Sequence, residues 1–104
     1  MTDSATRPGA RHALTRDDLV VVIPALNEAL RIREVVEGAL AECPRVLVID
    51  DGSDDGTAQR IDDLPVVVLR HETRMGKGAS LRDGFAQALR MGARAIVSMD
   101  GDGQ

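Results

Sequence analysis

At 104 residues, the chain is one small domain or part of a larger one. Its 43% apolar residues supply a core that must be aliphatic, because Phe85 is the only aromatic side chain. With 13 basic against 17 acidic residues, the net charge of −4 removes the electrostatic case for nucleic acid or an anionic membrane surface.

Residues 1–17 mix Thr, Ser, Pro, Gly and Arg without periodicity and read as a disordered tail, with the domain over 18–104. The tail has arginines but no apolar h-region, so it is no secretory signal. A continuous β-branched run over 19–23 predicts a buried strand stopped by Pro24. A helix follows over 29–42, with Leu30, Val35, Val36 and Leu40 on its apolar stripe. Cys43 excludes an internal disulfide and a thiolate zinc cluster; it fits a reducing, cytoplasmic compartment and reads as a buried, inert thiol. The run 45–49 is a second buried strand, after which Asp54 or Asp55 caps a helix reaching to about 63. A third strand spans 66–69. A third helix spans 78–91, with Leu81, Phe85 and Leu89 spaced by four, and a fourth strand spans 93–99. No segment approaches the ~20 apolar residues of a membrane span.

Continuous apolar strands alternating with amphipathic helices imply an α/β fold: a doubly wound parallel sheet of about four strands with helices on both faces. In such sheets ligands bind beyond the carboxyl ends of the strands. Three polar segments fall there, at 24–28, 50–56 and 100–104. Their convergence on one edge is stronger evidence of a site than any one motif.

In Asp50-Asp51-Gly52-Ser53-Asp54-Asp55-Gly56-Thr57, carboxylates can accept from a nucleobase N–H or ribose hydroxyls, and glycine permits close backbone approach. Asp54, Asp55 and Thr57 are assigned to a helix cap. Asp51 is assigned to a ligand, since two adjacent acids exceed what a cap needs. Asn27, after the strand-ending Pro24, can accept left-handed geometry or cap the first helix. In Arg74-Met75-Gly76-Lys77-Gly78, which opens the third helix, helix N–H groups and a cation suit an anion; Lys77 is either a solvated loop lysine or a diphosphate contact. His71 stands where a Walker A loop needs glycine, and no G-x-G-x-x-G follows the first strand, so both familiar phosphate motifs fail. Asp100-Gly101-Asp102-Gly103-Gln104 is not an EF-hand loop, because a strand precedes it and Ser98 holds the first position. Its oxygen ligands suit Mg²⁺ or Mn²⁺. His12 and His71 are placed in the tail or on the surface, away from any ligand set.

Four stretches, Val21-Val22-Ile23-Pro24-Ala25-Leu26-Asn27-Glu28, the 48–57 segment, Gly76-Lys77-Gly78-Ala79 and Met99-Asp100-Gly101-Asp102-Gly103-Gln104, together resemble family 2 glycosyltransferases of the GT-A fold. The likeness is nearest to the dolichol- or polyprenyl-phosphate sugar transferase branch. The stretches occur in family order from residue 19 to the end. The resemblance implies strand order 3-2-1-4 and a nucleotide-sugar site formed by Pro24, Leu26, Glu28, Ile49, Asp51, Lys77, Asp100, Gly101 and Asp102. It implies a Mg²⁺ or Mn²⁺ ion on Asp100, Asp102 and Gln104, Asp100 and Asp102 being the DXD pair. A tyrosine is common in the family where Leu26 stands, which leaves the base open. The implied partners are a GDP- or UDP-sugar donor and a polyprenyl-phosphate acceptor, with no nucleic acid and no membrane span in these residues; location at the inner face of a membrane is compatible. The acceptor wall and general base of the family lie beyond the matched stretches, so no catalytic residue is assigned and the chain is read as the donor-binding half. Two alternatives stand beside this reading: a non-catalytic nucleotide-binding module, and a response-regulator receiver domain in which 46–51 would be the first strand and Asp100 the phospho-acceptor.

Overall fold

The computed structural model describes residues 14–101. Its elements are β1 (Leu19–Ala25), α1 (Ile32–Glu42), β2 (Val46–Asp50), β3 (Val67–Arg70), α2 (Lys77–Arg90) and β4 (Ala95–Ser98), with 3-10 turns at Arg16–Asp18 and Ala58–Ile61. The expected tail falls outside the described residues up to 13. From Thr15 onward the chain is tied down: the Thr15 N–H donates to Asp18, and Arg16 donates to the carbonyls of Ala41 and Glu42.

The four strands form one parallel sheet in the order β3-β2-β1-β4, as expected. β1 is central, so the receiver alternative, in which 19–23 would be an extra strand, does not describe this molecule. Side chains alternate across the sheet. Val21, Ile23, Val46 and Val48 pack beneath α1 through Ile32, Val36 and Ala39. Val20, Val22, Leu47 and Ile49 pack beneath α2 through Ala88. Central strands covered on both faces therefore read as unbroken apolar runs rather than alternating ones. Cys43 is buried, its Sγ within 3.4 Å of the Leu19 carbonyl, as an inert thiol should be.

Three expectations about helices are corrected. α1 starts at Ile32 rather than 29, because the Glu28 carbonyl accepts from both Arg31 and Ile32 in a turn that leaves Leu30 91% exposed. The helix expected to end near 63 is a four-residue 3-10 turn, Ala58–Ile61, of which Ile61 alone is fully buried. A segment with one apolar anchor has no amphipathic face to extend. In α2, the buried face is Ser80, Gly84 and Ala88, one step round from the expected stripe; Phe85 and Leu89 are exposed.

The reason for the α2 rotation is distance. A Cβ on Gly84 would stand 2.6 Å from Val22 Cγ1 and 3.1 Å from Ile49 Cγ1, so the helix rests directly on the sheet. Gly84→Ala is expected to lower stability by about 1–2 kcal/mol despite alanine's better helix propensity, because the added methyl must displace two buried side chains. Urea unfolding should show a lower midpoint with an unchanged slope; a raised midpoint would refute the close-packing account.

Candidate functional site

The site opens where β1 and β4 part. Val22 is the last β1 residue paired with β4, opposite Ser98, and its carbonyl still accepts from Met99. Pro24, two residues on, faces the same neighbour and has no N–H, so the ladder stops there. Pro24 and Ala25 nevertheless continue β1, paired with Ile49 and Asp50 of β2. The strand was expected to end before Pro24. It continues because the missing donor lies on the β4 side only. Beyond that point the 99–101 segment diverges and a cleft forms at the carboxyl edge of the sheet.

The loops after β1 and β2 hold each other by side chain to backbone bonds. Asn27 takes the left-handed conformation (φ 54°) that its sequence position allowed. Its N–H donates to Ser53 Oγ at 2.8 Å, and its own Oδ1 accepts from Asp54 N at 3.0 Å. Glu28 N donates to Thr57 Oγ1 at 3.0 Å, and Ala29 N to Asp55 at 3.1 Å. Asp55 also accepts from the Thr57 hydroxyl, the main reason its carboxyl lies below the ordinary range. Asp54, Asp55 and Thr57 are thus structural, as assigned, but they knit two loops together rather than cap a long helix.

Asp50 and Asp51 serve different neighbours. Asp50 is fully buried, accepting from Ser53 N and pairing with the Arg70 guanidinium. Asp51 reaches the other way, toward the segment before α2. Its Oδ1 accepts from Met75 N and its Oδ2 from Gly76 N, at 2.8 and 2.9 Å. His71 Nδ1 sits 2.8 Å from the same carboxylate, and Nε2 sits 2.8 Å from Asp83. His71 is therefore not a surface residue: its side chain is 12% exposed, bridging two acids. Burial pushes the Asp51 pKa up, but His71 and the two N–H donors outweigh it and the net shift is downward. The same bonds to Asp51 and Asp83 raise the His71 pKa. Gly52 completes the junction at φ 76°, where a Cβ would lie 2.8 Å from the backbone at Thr73 and Arg74.

This framework encloses a cavity of about 320 Å³. Its walls are Pro24, Ala25, Leu26 and Glu28 from the end of β1, Asp51 from β2, Arg74, Gly76, Lys77 and Ser80 from the start of α2, and Asp100 and Gly101 after β4. Lys77 Nζ and Asp100 Oδ1 pair at 2.6 Å across the mouth, both substantially exposed.

Of the expected site residues, Pro24, Leu26, Glu28, Asp51, Lys77, Asp100 and Gly101 meet at this cavity. Ile49 does not. It is fully buried one pleat below the strand's end, under α2 at Gly84. Asp102 and Gln104 lie outside the described residues, so of the expected metal ligands Asp100 is described. Among the described residues no three His, Cys, Asp or Glu side chains gather as a metal centre. Ala25, Arg74, Gly76 and Ser80 were not anticipated as lining. Arg74 and Gly76 belong to the 74–78 segment already singled out for an anion, although neither was named as a site residue, whereas Ser80 becomes visible only with the small-residue stripe Ser80, Gly84, Ala88.

Comparison with known proteins agrees with the geometry. The model of the family described as glycosyl transferase family 2 matches residues 20–104. Polyprenol monophosphomannose synthase from Mycolicibacterium smegmatis is 37% identical over 92 residues, covering 81% of this chain and 35% of that protein. Undecaprenyl-phosphate mannosyltransferase from Micrococcus luteus is 34% identical over 92 residues, covering 82% of this chain and 38% of its own length. The chain thus spans less than two fifths of these relatives. Among solved structures, glucosyl-3-phosphoglycerate synthase from Mycobacterium tuberculosis, in complex with Mn²⁺, UDP and glucosyl-3-phosphoglycerate, superposes with a TM-score of 0.64 at 25% identity, covering 88% of this chain and 39% of that one. No helix among the described residues is long and apolar enough to cross a membrane. With the sheet order, the cleft at its carboxyl edge and a family match over more than four fifths of its length, the chain belongs to glycosyl transferase family 2.

Proposed function

We propose that this chain binds the nucleotide-sugar donor of a glycosyl transfer, with a divalent cation, and that the acceptor of the whole enzyme is a polyprenyl phosphate. The carrying observation is the convergence of Glu28, Asp51, Arg74, Lys77 and Asp100 on one cavity at the carboxyl edge of a parallel sheet. The polyprenyl acceptor rests on the two relatives whose names specify polyprenol and undecaprenyl phosphate.

The chemistry of the walls suits the donor. Pro24, Ala25 and Leu26 supply an apolar surface for a base. A carboxylate offers about four acceptor positions, and the bonds to His71, Met75 and Gly76 fill three of those on Asp51. One remains for a base N–H. Glu28, on the same wall, offers a carboxylate for ribose hydroxyls. Lys77 and Arg74 bring positive charge to the side where a diphosphate would lie. Asp100 is a hard oxygen donor at the mouth and fits Mg²⁺ or Mn²⁺, with Asp102 and Gln104 following in the chain. The bound cation would neutralise the diphosphate oxygens and stabilise the leaving nucleoside diphosphate. Lys77 pairs with Asp100 Oδ1 at 2.6 Å, so the same carboxylate that would hold a cation keeps the ammonium beside it, where it would add positive charge for a diphosphate.

Calorimetry with UDP and with GDP tests this reading. Binding is expected with Mn²⁺, weaker with a chelator, and Asp100→Ala should abolish the difference. Equal affinity with Mn²⁺ and chelator in the wild type would remove the metal assignment. Absence of binding by either nucleotide would overturn the donor-site reading.

A further inference from the structure

Ser80 is fully buried, yet it lines the cavity, and its Oγ has no hydrogen-bond partner among the described residues. Serine in a helix often bonds back to the carbonyl four residues earlier. Here the Gly76 carbonyl accepts the Ser80 backbone N–H at 3.0 Å, and the hydroxyl does not join it. Buried hydroxyls almost always find a partner, since losing water without replacement is costly. The hydroxyl lies just behind the cavity wall, closed off from the empty cavity, so a ligand reaches it only with a side-chain turn or a small local shift. An orphan hydroxyl in that place is explained if its partner arrives with the ligand. Alanine at this position would pack the same stripe with Gly84 and Ala88 at no such cost, and would favour the helix.

We propose that the Ser80 hydroxyl is a ligand-binding group that hydrogen-bonds an uncharged polar atom of the donor's nucleoside, and so contributes to nucleotide selection. The inference rests on the donor-site reading above. The charge distribution decides which part of the ligand is met. Lys77 and Asp100 sit at the mouth, with side chains 64% and 41% exposed, where a diphosphate and its cation stay hydrated and compensated. Ser80 lies one helical turn further in, on the face of α2 turned toward the sheet. A buried neutral hydroxyl suits a neutral oxygen or N–H; a phosphate drawn to that depth would lose its hydration without gaining a cation. Because a hydroxyl both donates and accepts, it can serve a base carbonyl or a base N–H.

The test compares the full wild-type chain with Ser80→Ala by calorimetry, using UDP, GDP, the parent nucleosides, and inorganic pyrophosphate with Mn²⁺. Ser80→Ala is expected to weaken the better-bound nucleoside diphosphate about tenfold, or about 1.4 kcal/mol, and its nucleoside by a similar factor. Pyrophosphate binding should not change, and the thermal midpoint should stay level or rise, since an unpaired buried hydroxyl is removed. Equal nucleoside affinity in both proteins would overturn the role of Ser80 while leaving the donor site standing. A loss confined to pyrophosphate would assign the hydroxyl to phosphate and overturn the proposal. Wild-type chain that binds no nucleoside diphosphate would overturn the donor site and this inference together.

Discussion

Asp51→Ala is expected to cost about 3–5 kcal/mol of stability, the range for removing one partner from a buried charged network. The carboxylate accepts from Met75 N, Gly76 N and His71, and it is 4% exposed. Alanine would strand two backbone donors and leave the imidazole facing Asp83 alone. The segment that carries Arg74 and opens α2 would lose its anchor to β2. Nucleotide binding should therefore fall with or without metal, both from the lost acceptor and from the loosened wall. Asp51→Asn should be intermediate, because its amide keeps one acceptor oxygen but turns an NH₂ toward donors. Urea unfolding of the three proteins gives the ranking; a loss under about 1 kcal/mol for Asp51→Ala would mean that the network does not hold the loop.

His71→Ala is the second large effect, at about 2–4 kcal/mol, since it removes two charge-assisted hydrogen bonds. Asp83 is partly exposed, so the bond to Asp51 carries most of this. The pH dependence follows from two opposite shifts. The His71 pKa is raised above its ordinary 6.5 by the bonds to Asp51 and Asp83. Its contribution is therefore fully present below 6.5 and is lost as pH rises through the raised folded value. The Asp51 pKa is lowered below its ordinary 3.8, by His71 and the two N–H donors acting against burial. Its contribution is present above 3.8 and is lost as pH falls through the depressed folded value. Stability should be greatest between these two limits. The gap between wild type and His71→Ala should narrow as the imidazole titrates on the alkaline side. A gap that stays constant through that range would show that the bridge does not depend on a charged imidazole.

These two residues show how the site's legibility was distributed. Asp51 was identifiable because it follows a continuous apolar strand, and its place at the carboxyl edge follows from parallel pairing. Its bonding was not identifiable, because His71, Met75 and Gly76 lie 20 to 25 positions away and no local period links them. His71 looked like an isolated histidine for the same reason. Ile49 was assigned to the pocket with Asp51, two residues on and on the same face. The structure separates them because the strand's end, not its face, decides which of the two meets the cavity.

The sequence by itself determined the strands, their parallel order through family resemblance, and the edge on which the polar segments gather. Those features come from local composition: β-branched runs long enough to be covered on both faces, broken by Pro, Asn and Gly where the chain must turn. Only the tertiary structure decided which stripe of α2 is buried. Leu81, Phe85 and Leu89 are the more hydrophobic row, yet Ser80, Gly84 and Ala88 face the sheet. Helical periodicity ranks rows by apolarity, whereas packing ranks them by fit. With Val22 and Ile49 filling the space above the strands, only a row without large side chains lets the helix come close, and that approach puts Ser80 in the lining of the cavity.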